Sequence, residues 1–305
     1  MADPVAALAP SARWRDYLTL CKPRIVATIV FTAVVGMFLA TPDMVPWNIL
    51  LFGTLGIGLA AASAAAVNHV VDQRIDSVMS RTRRRPLPRG AITPGAAILF
   101  ALFLGVASML ILTFEVNLLT AMLTLVSLIG YGFVYSMFLK RATPQNIVIG
   151  GAAGAAPPVL GWTAVANHLD PHALLLFLII FAWTPPHFWA LAICRRSDYA
   201  SAGVPMLPVT HGVEFTRLHI LLYTVVLCVV SVFPFLTYMS GPVYLAGALA
   251  LGSGFLWFAI RMQREHDDSL ALRTFSYSIF YLLALFGFLL ADHYMSQLLQ
   301  VLAVV

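Results

Sequence analysis

Charge is the scarcest property of this 305-residue chain: 10% of its residues are Asp, Glu, Lys or Arg, against 60% hydrophobic. A water-soluble domain carries about a quarter charged residues, so water is excluded as the main solvent. Cysteine is nearly missing too. Cys21, Cys194 and Cys228 form neither a CxxC pair nor a disulfide framework, which leaves them as small, apolar-tolerant residues. The chain lacks the short alternating segments that mark a transmembrane β-barrel. Its N-terminal region holds no hydrophobic core followed by a small-residue cleavage site, and Asp3 and Asp16 do not suit an Arg-rich transit peptide. Positions 1–21 are therefore expected to be a polar cytoplasmic segment, with the first span serving as the insertion signal.

Long apolar runs are what the chain has instead, with a mean hydropathy of +0.88. A membrane-crossing helix needs about 20 mostly apolar residues. Nine such runs are expected, near 24–41, 47–67, 95–113, 117–137, 146–165, 172–193, 217–237, 242–260 and 275–292. The fold class is all-α: one polytopic domain over 1–305. Pro185 and Pro186 should break the sixth span, because proline removes a helical donor and clashes with the preceding turn. The small residues at 150–156 and 63–66 should let neighbouring helices approach closely.

Assigning the loops to alternate sides puts all 18 Lys and Arg on one side and only Asp43, Glu115, Asp170 and Asp292 on the other. The positive-inside rule makes the basic side cytoplasmic. The net charge of +5 thus reports orientation rather than nucleic-acid binding. Two loops on that side are long, 71–94 and 194–216, and function is expected there.

Asn68, Asp72 and Asp76 stand at i, i+4 and i+8, so on one helix they share an arc of about 80° over about 12 Å. Two carboxylates and an amide oxygen make an oxygen-rich site for a hard divalent cation such as Mg²⁺, which uses few carboxylates together with waters and substrate phosphates. Ionisable groups where a span leaves the membrane are costly and usually functional. Arg81, Arg83, Arg84, Arg85 and Arg89 follow within nine residues. Guanidinium forks match phosphate oxygens, so acids and arginines together describe a metal–diphosphate site. A positive-inside anchor or an anionic-lipid patch is the alternative for the arginines.

The segment Trp183-Thr-Pro-Pro-His187 places a histidine beside the proline pair, as a base, a ligand or a hydrogen-bonding core residue. Arg195, Arg196 and Asp198 with Tyr199 could extend the phosphate site or form a local ion pair. Lys140 and Arg141 could reach the same anion or serve topology alone. His69 is near the acids. An ion pathway through Asn68, Asp72 and Asp76 is a competing reading. Transporter sites lie near the bilayer midplane, however, and these acids lie at a span's end beside arginines.

The NxxxDxxxD pattern of Asn68-Asp72-Asp76, followed by Met79-Ser-Arg-Thr-Arg-Arg-Arg-Pro86, resembles the intramembrane aromatic prenyltransferase superfamily. Cys21-Lys-Pro-Arg24, Lys140-Arg-Ala-Thr-Pro-Gln-Asn146, Thr184-Pro-Pro-His187 and Gly203-Val-Pro-Met-Leu-Pro208 are similar to its haem-modifying branch. Members acting on aromatic rings carry a second DxxxD near the sixth span. This chain has Thr-Pro-Pro-His there and Asp198 later. The resemblance implies nine helices around a cavity open to lipid, in a bacterial-type inner membrane with the site on the cytoplasmic face. It implies farnesyl diphosphate and haem B as substrates, Mg²⁺ as cofactor, and haem O as a product for haem–copper oxidase assembly, with haem A synthase a possible recipient. It further implies catalytic roles for Asn68, Asp72, Asp76, Arg81, Arg85 and His187, the first three as metal ligands. Substrate contacts are expected from Lys22, Arg84, Lys140, Arg141, Arg195, Arg196, Asp198 and Tyr199. A quinone-precursor ring is the alternative acceptor.

Overall fold

In the computed structural model, residues 13–265 and 267–304 are described, so positions 1–12 of the expected N-terminal segment lie outside the described residues. The chain starts with α1 (Trp14–Leu20), which meets α2 (Pro23–Leu39) at a 51° bend. Then come α3 (Trp47–Val71), α4 (Gln73–Val78) and α5 (Pro94–Ile111), the last continued by a π-helical turn Leu112–Val116. Helix α6 (Leu118–Ile129) runs on as a π-helical stretch Gly130–Leu139 into α7 (Lys140–Ala142). The remainder are α8 (Asn146–Ala155), α9 (Pro157–Ala166), α10 (Pro171–Cys194), α11 (Arg196–Ser201), α12 (Leu207–Thr210), α13 (Gly212–Val230), α14 (Phe233–Leu236), α15 (Pro242–Glu265) and α16 (Asp268–Val304). Among the described residues, eight helical stretches are long and apolar enough to cross a membrane, nine with the bent α1–α2 pair.

Residues at the span ends explain where helices start. Asn117 accepts from the Thr120 amide at 2.8 Å, and Asp170, ahead of Pro171, accepts from His172 at 2.7 Å. Asp292 of α16 accepts from the Gly241 and Tyr244 amides and so caps α15. The flanks of α5 and α6 expose Leu99, Phe103, Phe114, Leu118 and Val126. Lipid is as apolar as leucine, so these residues do not hold helices together; close packing and interhelical hydrogen bonds do. Ser63 donates to the Ala101 carbonyl at 2.7 Å and Ser108 to that of Gly56 at 2.6 Å, tying α3 to α5.

Small residues set the crossing of α2 and α9, at glycines outside the two stretches singled out in the sequence. A Cβ on Gly161 would stand 1.9 Å from the Ala33 carbonyl oxygen, and one on Gly36 2.2 Å from that of Pro158. Backbone cannot yield as a flexible side chain can. Gly161→Ala is thus expected to cost about 1–3 kcal/mol and lower Tm in detergent by about 2–6 °C. Gly95→Ala, with nothing within 4 Å, should melt like wild type. Equal melting of all three proteins would contradict the close crossing.

One expectation fails. Helix α10 runs unbroken from Pro171 to Cys194 through Pro185 and Pro186. The stretch Ala182–His187 is buried among neighbouring helices, so the carbonyls freed by the prolines face protein rather than lipid, which permits a continuous helix.

Candidate active site

The acidic residues sit where α3 ends. The helix is not continuous through all three, as the sequence spacing suggested. It stops at Val71, and Asp72, at φ −85° and ψ 0°, forms the junction with α4. That is the bridge region, where many active-site residues lie. The register nevertheless survives. The Asp72 amide donates to the Asn68 carbonyl at 2.9 Å and the Asp76 amide to that of Asp72 at 2.8 Å. All three side chains are therefore buried together, each 4% exposed or less.

Basic residues from three distant segments meet them. Lys22 lies between α1 and α2 with φ +49°, the left-handed region that costs a non-glycine residue about 1–2 kcal/mol. Its ammonium donates to Asn68 Oδ1 at 2.5 Å. Helix α1 holds that bend in place: Leu20 is buried with Ala66, Leu87 and Ile92, and Asp16 pairs with Arg89. Lys140, at the end of the π-helical stretch, donates to Asp72 Oδ2 at 2.5 Å. Arg85 donates to Asp76 Oδ2 at 2.7 Å, and the Thr82 hydroxyl anchors the same loop on the Asp76 carbonyl at 3.0 Å. Asn68 Nδ2 donates to Asp72 Oδ2 at 3.0 Å and to Ser136 Oγ at 3.2 Å. Ser136 in turn reaches the carbonyl five residues back, Tyr131, at 2.9 Å. The wide i→i+5 turn aims it there.

The second loop touches the first through Ser80, whose hydroxyl donates to both Asp198 carboxylate oxygens at 2.9 and 3.0 Å. Burial pushes the Tyr199 hydroxyl pKa up, with the nearby Arg81 and Arg85 acting in the opposite direction. Arg81, Arg83, Arg84, Arg195 and Arg196 are exposed. The Arg141 side chain lies outside the described residues. His187 is placed elsewhere: its Nδ1 is 2.7 Å from Ser278 Oγ, and its ring stacks on Trp183 and Phe275 within α10 and α16. No contact joins it to the acids. Ser136, Ser80 and Thr82 are the members of the cluster that sequence reasoning missed.

Three basic side chains gathered around two carboxylates in a poorly hydrated place make a setting that attracts an anion. Asp72 Oδ1 is buried without a hydrogen-bond partner. That free oxygen, with Asp76 beside it, fits a hard cation completed by waters and phosphate oxygens. Among the described residues no group of three His, Cys, Asp or Glu side chains gathers, so the protein alone does not form a full metal cage. A cleft of about 440 Å³ opens beside Lys22, Arg24, His69 and Arg85, with Leu18 and Ile25 at its sides.

The sequence matches the UbiA prenyltransferase family over residues 29–302. It is 61% identical to the "Protoheme IX farnesyltransferase" of Nitrosococcus oceani, over 94% of this chain and 96% of that protein. It is 62% identical to the Marinobacter nauticus protein of the same name, over 94% and 95%. Two solved structures share the fold at 16% identity. One is a digeranylgeranylglyceryl phosphate synthase, with a TM-score of 0.77 over 92% of this chain and 98% of that one. The other is a UbiA homolog from Archaeoglobus fulgidus bound to GPP and Mg²⁺, with a TM-score of 0.60 over 90% and 99%. By family match, near-full-length relatives and fold alike, this multi-pass membrane chain belongs to the UbiA prenyltransferase family.

Proposed function

We propose that the protein transfers the farnesyl group of farnesyl diphosphate to a vinyl group of haem B, yielding haem O. The observation that carries this is the interlocked cluster in which Lys22, Lys140 and Arg85 hold Asn68, Asp72 and Asp76 at 2.5–2.7 Å. A metal–diphosphate satisfies both halves of it. Near 60% identity with proteins named protoheme IX farnesyltransferase supports the choice of donor and acceptor.

Asp72 and Asp76, with Asn68, would hold Mg²⁺, which when bound neutralises part of the leaving group's charge. Lys22 would pass from Asn68, and Lys140 and Arg85 from the acids, to phosphate oxygens, joined by the exposed Arg81 and Arg84. As the C1–O bond of the donor breaks, its electron pair leaves with diphosphate, and these groups stabilise the charge that develops, usually the largest catalytic contribution. Arg195, Arg196, Asp198 and Tyr199 of the other loop would add further contacts to that anion, and Arg141 keeps the substrate-binding role expected from its sequence motif. The surrounding apolar helices keep the allylic cation from bulk water. The haem vinyl carbon then bonds to C1, water adds to the cation beside the macrocycle, and a proton is released. His187, sandwiched between aromatic rings, is assigned to haem contact. The chain acts as one domain, with loops 71–94 and 194–216 on the cytoplasmic face of the inner membrane.

Mass spectrometry of purified protein with Mg²⁺, farnesyl diphosphate and either haem B or a hydroxybenzoate tests the acceptor. A haem heavier by one farnesyl group and one hydroxyl group is expected, with the aromatic acid untouched. Prenylated acid with unchanged haem would assign the quinone-precursor reaction instead.

A further inference from the structure

His69 stands beside the acids without a partner. It lies one residue after Asn68 on α3 and is 1% exposed, and neither ring nitrogen makes a hydrogen bond. Buried polar atoms are almost always paired in folded proteins, so such an exception calls for an explanation. The ring occupies the face of Asp76, seven residues and two turns away. Its Nδ1 is 3.9 Å from Asp76 Oδ2, too far for a hydrogen bond. Oδ2 is the oxygen that already accepts Arg85 at 2.7 Å. Arg85 therefore holds the place the imidazole would take.

The other nearby donors are engaged. Lys22 is on Asn68, Lys140 is on Asp72, and the Thr82 hydroxyl is on the Asp76 backbone carbonyl rather than its carboxylate. When Arg85 turns to a bound diphosphate, as the function above requires, Oδ2 of the buried Asp76 carboxylate loses its hydrogen-bond donor. A buried carboxylate stripped of its partner is strongly unfavourable unless another donor replaces it. Closing roughly 1 Å brings Nδ1 within hydrogen-bond range.

We infer that His69 is a positioning residue: its Nδ1–H takes over Asp76 Oδ2 when Arg85 leaves for the diphosphate, fixing that carboxylate for metal binding. The inference rests on the prenyl-diphosphate reading of this site. It gives the ligand-free state one partner for Asp76 and the loaded state another. The ring that looks idle is the second partner. Hydrogen bonds that orient a metal-binding group are typically worth about 10- to 100-fold in affinity.

The test is the affinity of the full-length protein in detergent for Mn²⁺, read from the electron paramagnetic resonance of the free ion, with and without inorganic diphosphate. His69→Asn places an amide N–H near the Nδ1 position, and His69→Gln places one near Nε2. With diphosphate, His69→Gln and His69→Leu are expected to bind Mn²⁺ about 10- to 100-fold more weakly than wild type, while His69→Asn stays close to wild type. Without diphosphate, when Arg85 holds Asp76, the four proteins should be alike. Equal affinities with diphosphate present, or equal losses in the Asn and Gln variants, would overturn the hand-over. Should His69→Leu fail to fold, the Asn and Gln pair decides alone. If diphosphate does not strengthen Mn²⁺ binding even in wild type, the underlying reading of the site falls, and the inference falls with it.

Discussion

Asp72→Asn is expected to lower haem O formation by about 10³-fold, while the protein still folds. The carboxylate serves two partners through Oδ2, the Asn68 amide at 3.0 Å and the Lys140 ammonium at 2.5 Å, and leaves Oδ1 free. An amide can still accept from Asn68, so the local shape survives. It cannot supply the charge that holds a cation. Losing several kcal/mol of metal-derived stabilisation, at about 1.4 kcal/mol per tenfold, gives the predicted factor. Turnover and Tm measured on the same preparation separate the two effects. Activity within tenfold of wild type at unchanged Tm would remove Asp72 from the metal site.

Arg85→Ala should show the second-largest effect, and it should reach both catalysis and stability. Removing one donor to developing charge typically costs about 10²–10³-fold in kcat. The same change removes the cation paired with the Asp76 carboxylate, whose side chain is 4% exposed, and a neutral His69 can replace the hydrogen bond but not the charge. Breaking a buried pair from one side costs about 3–5 kcal/mol. The Arg85 side chain is 22% exposed, so the lower end of that range, about 3 kcal/mol, is expected. Arg85→Lys keeps the charge but loses the planar fork, so it should recover most of the stability and only part of the rate. Wild-type kcat in Arg85→Ala would exclude this arginine from the leaving-group site.

The spans were legible because their apolar runs are bounded by residues that stop helices or prefer water. Asn117 and Asp170 cap helices at the expected starts, and the fifth run, expected near 146–165, appears as Asn146–Ala155 and Pro157–Ala166. The acid face was legible too, since i, i+4 and i+8 bring side chains together whether or not the helix pauses at Asp72. Three features were not. The π-helical stretch Gly130–Leu139 changes the turn from which Ser136 projects, and apolar periodicity does not announce that change. Thr82 and Ser80 acquire partners only when the loops fold against α4 and α11. Continuity of α10 through Pro185 and Pro186 depends on enclosure by other helices, which a rule about proline within one helix does not contain. The pairing of Lys22 with Asn68, 46 residues away, likewise belongs to tertiary structure. The Lys-Pro motif suggested a role for this lysine, and the left-handed bend gives it a place.

The central claim is that the acids and their three basic partners bind a metal–diphosphate and that the farnesyl group leaves it for haem. The most direct measurement counts inorganic diphosphate and haem O together, on purified wild-type protein given haem B and farnesyl diphosphate, with Mg²⁺ and then with the metal chelated. The account predicts one diphosphate released per haem O formed, and neither product after chelation. Diphosphate release without haem, or haem O formation undiminished by chelation, would contradict it.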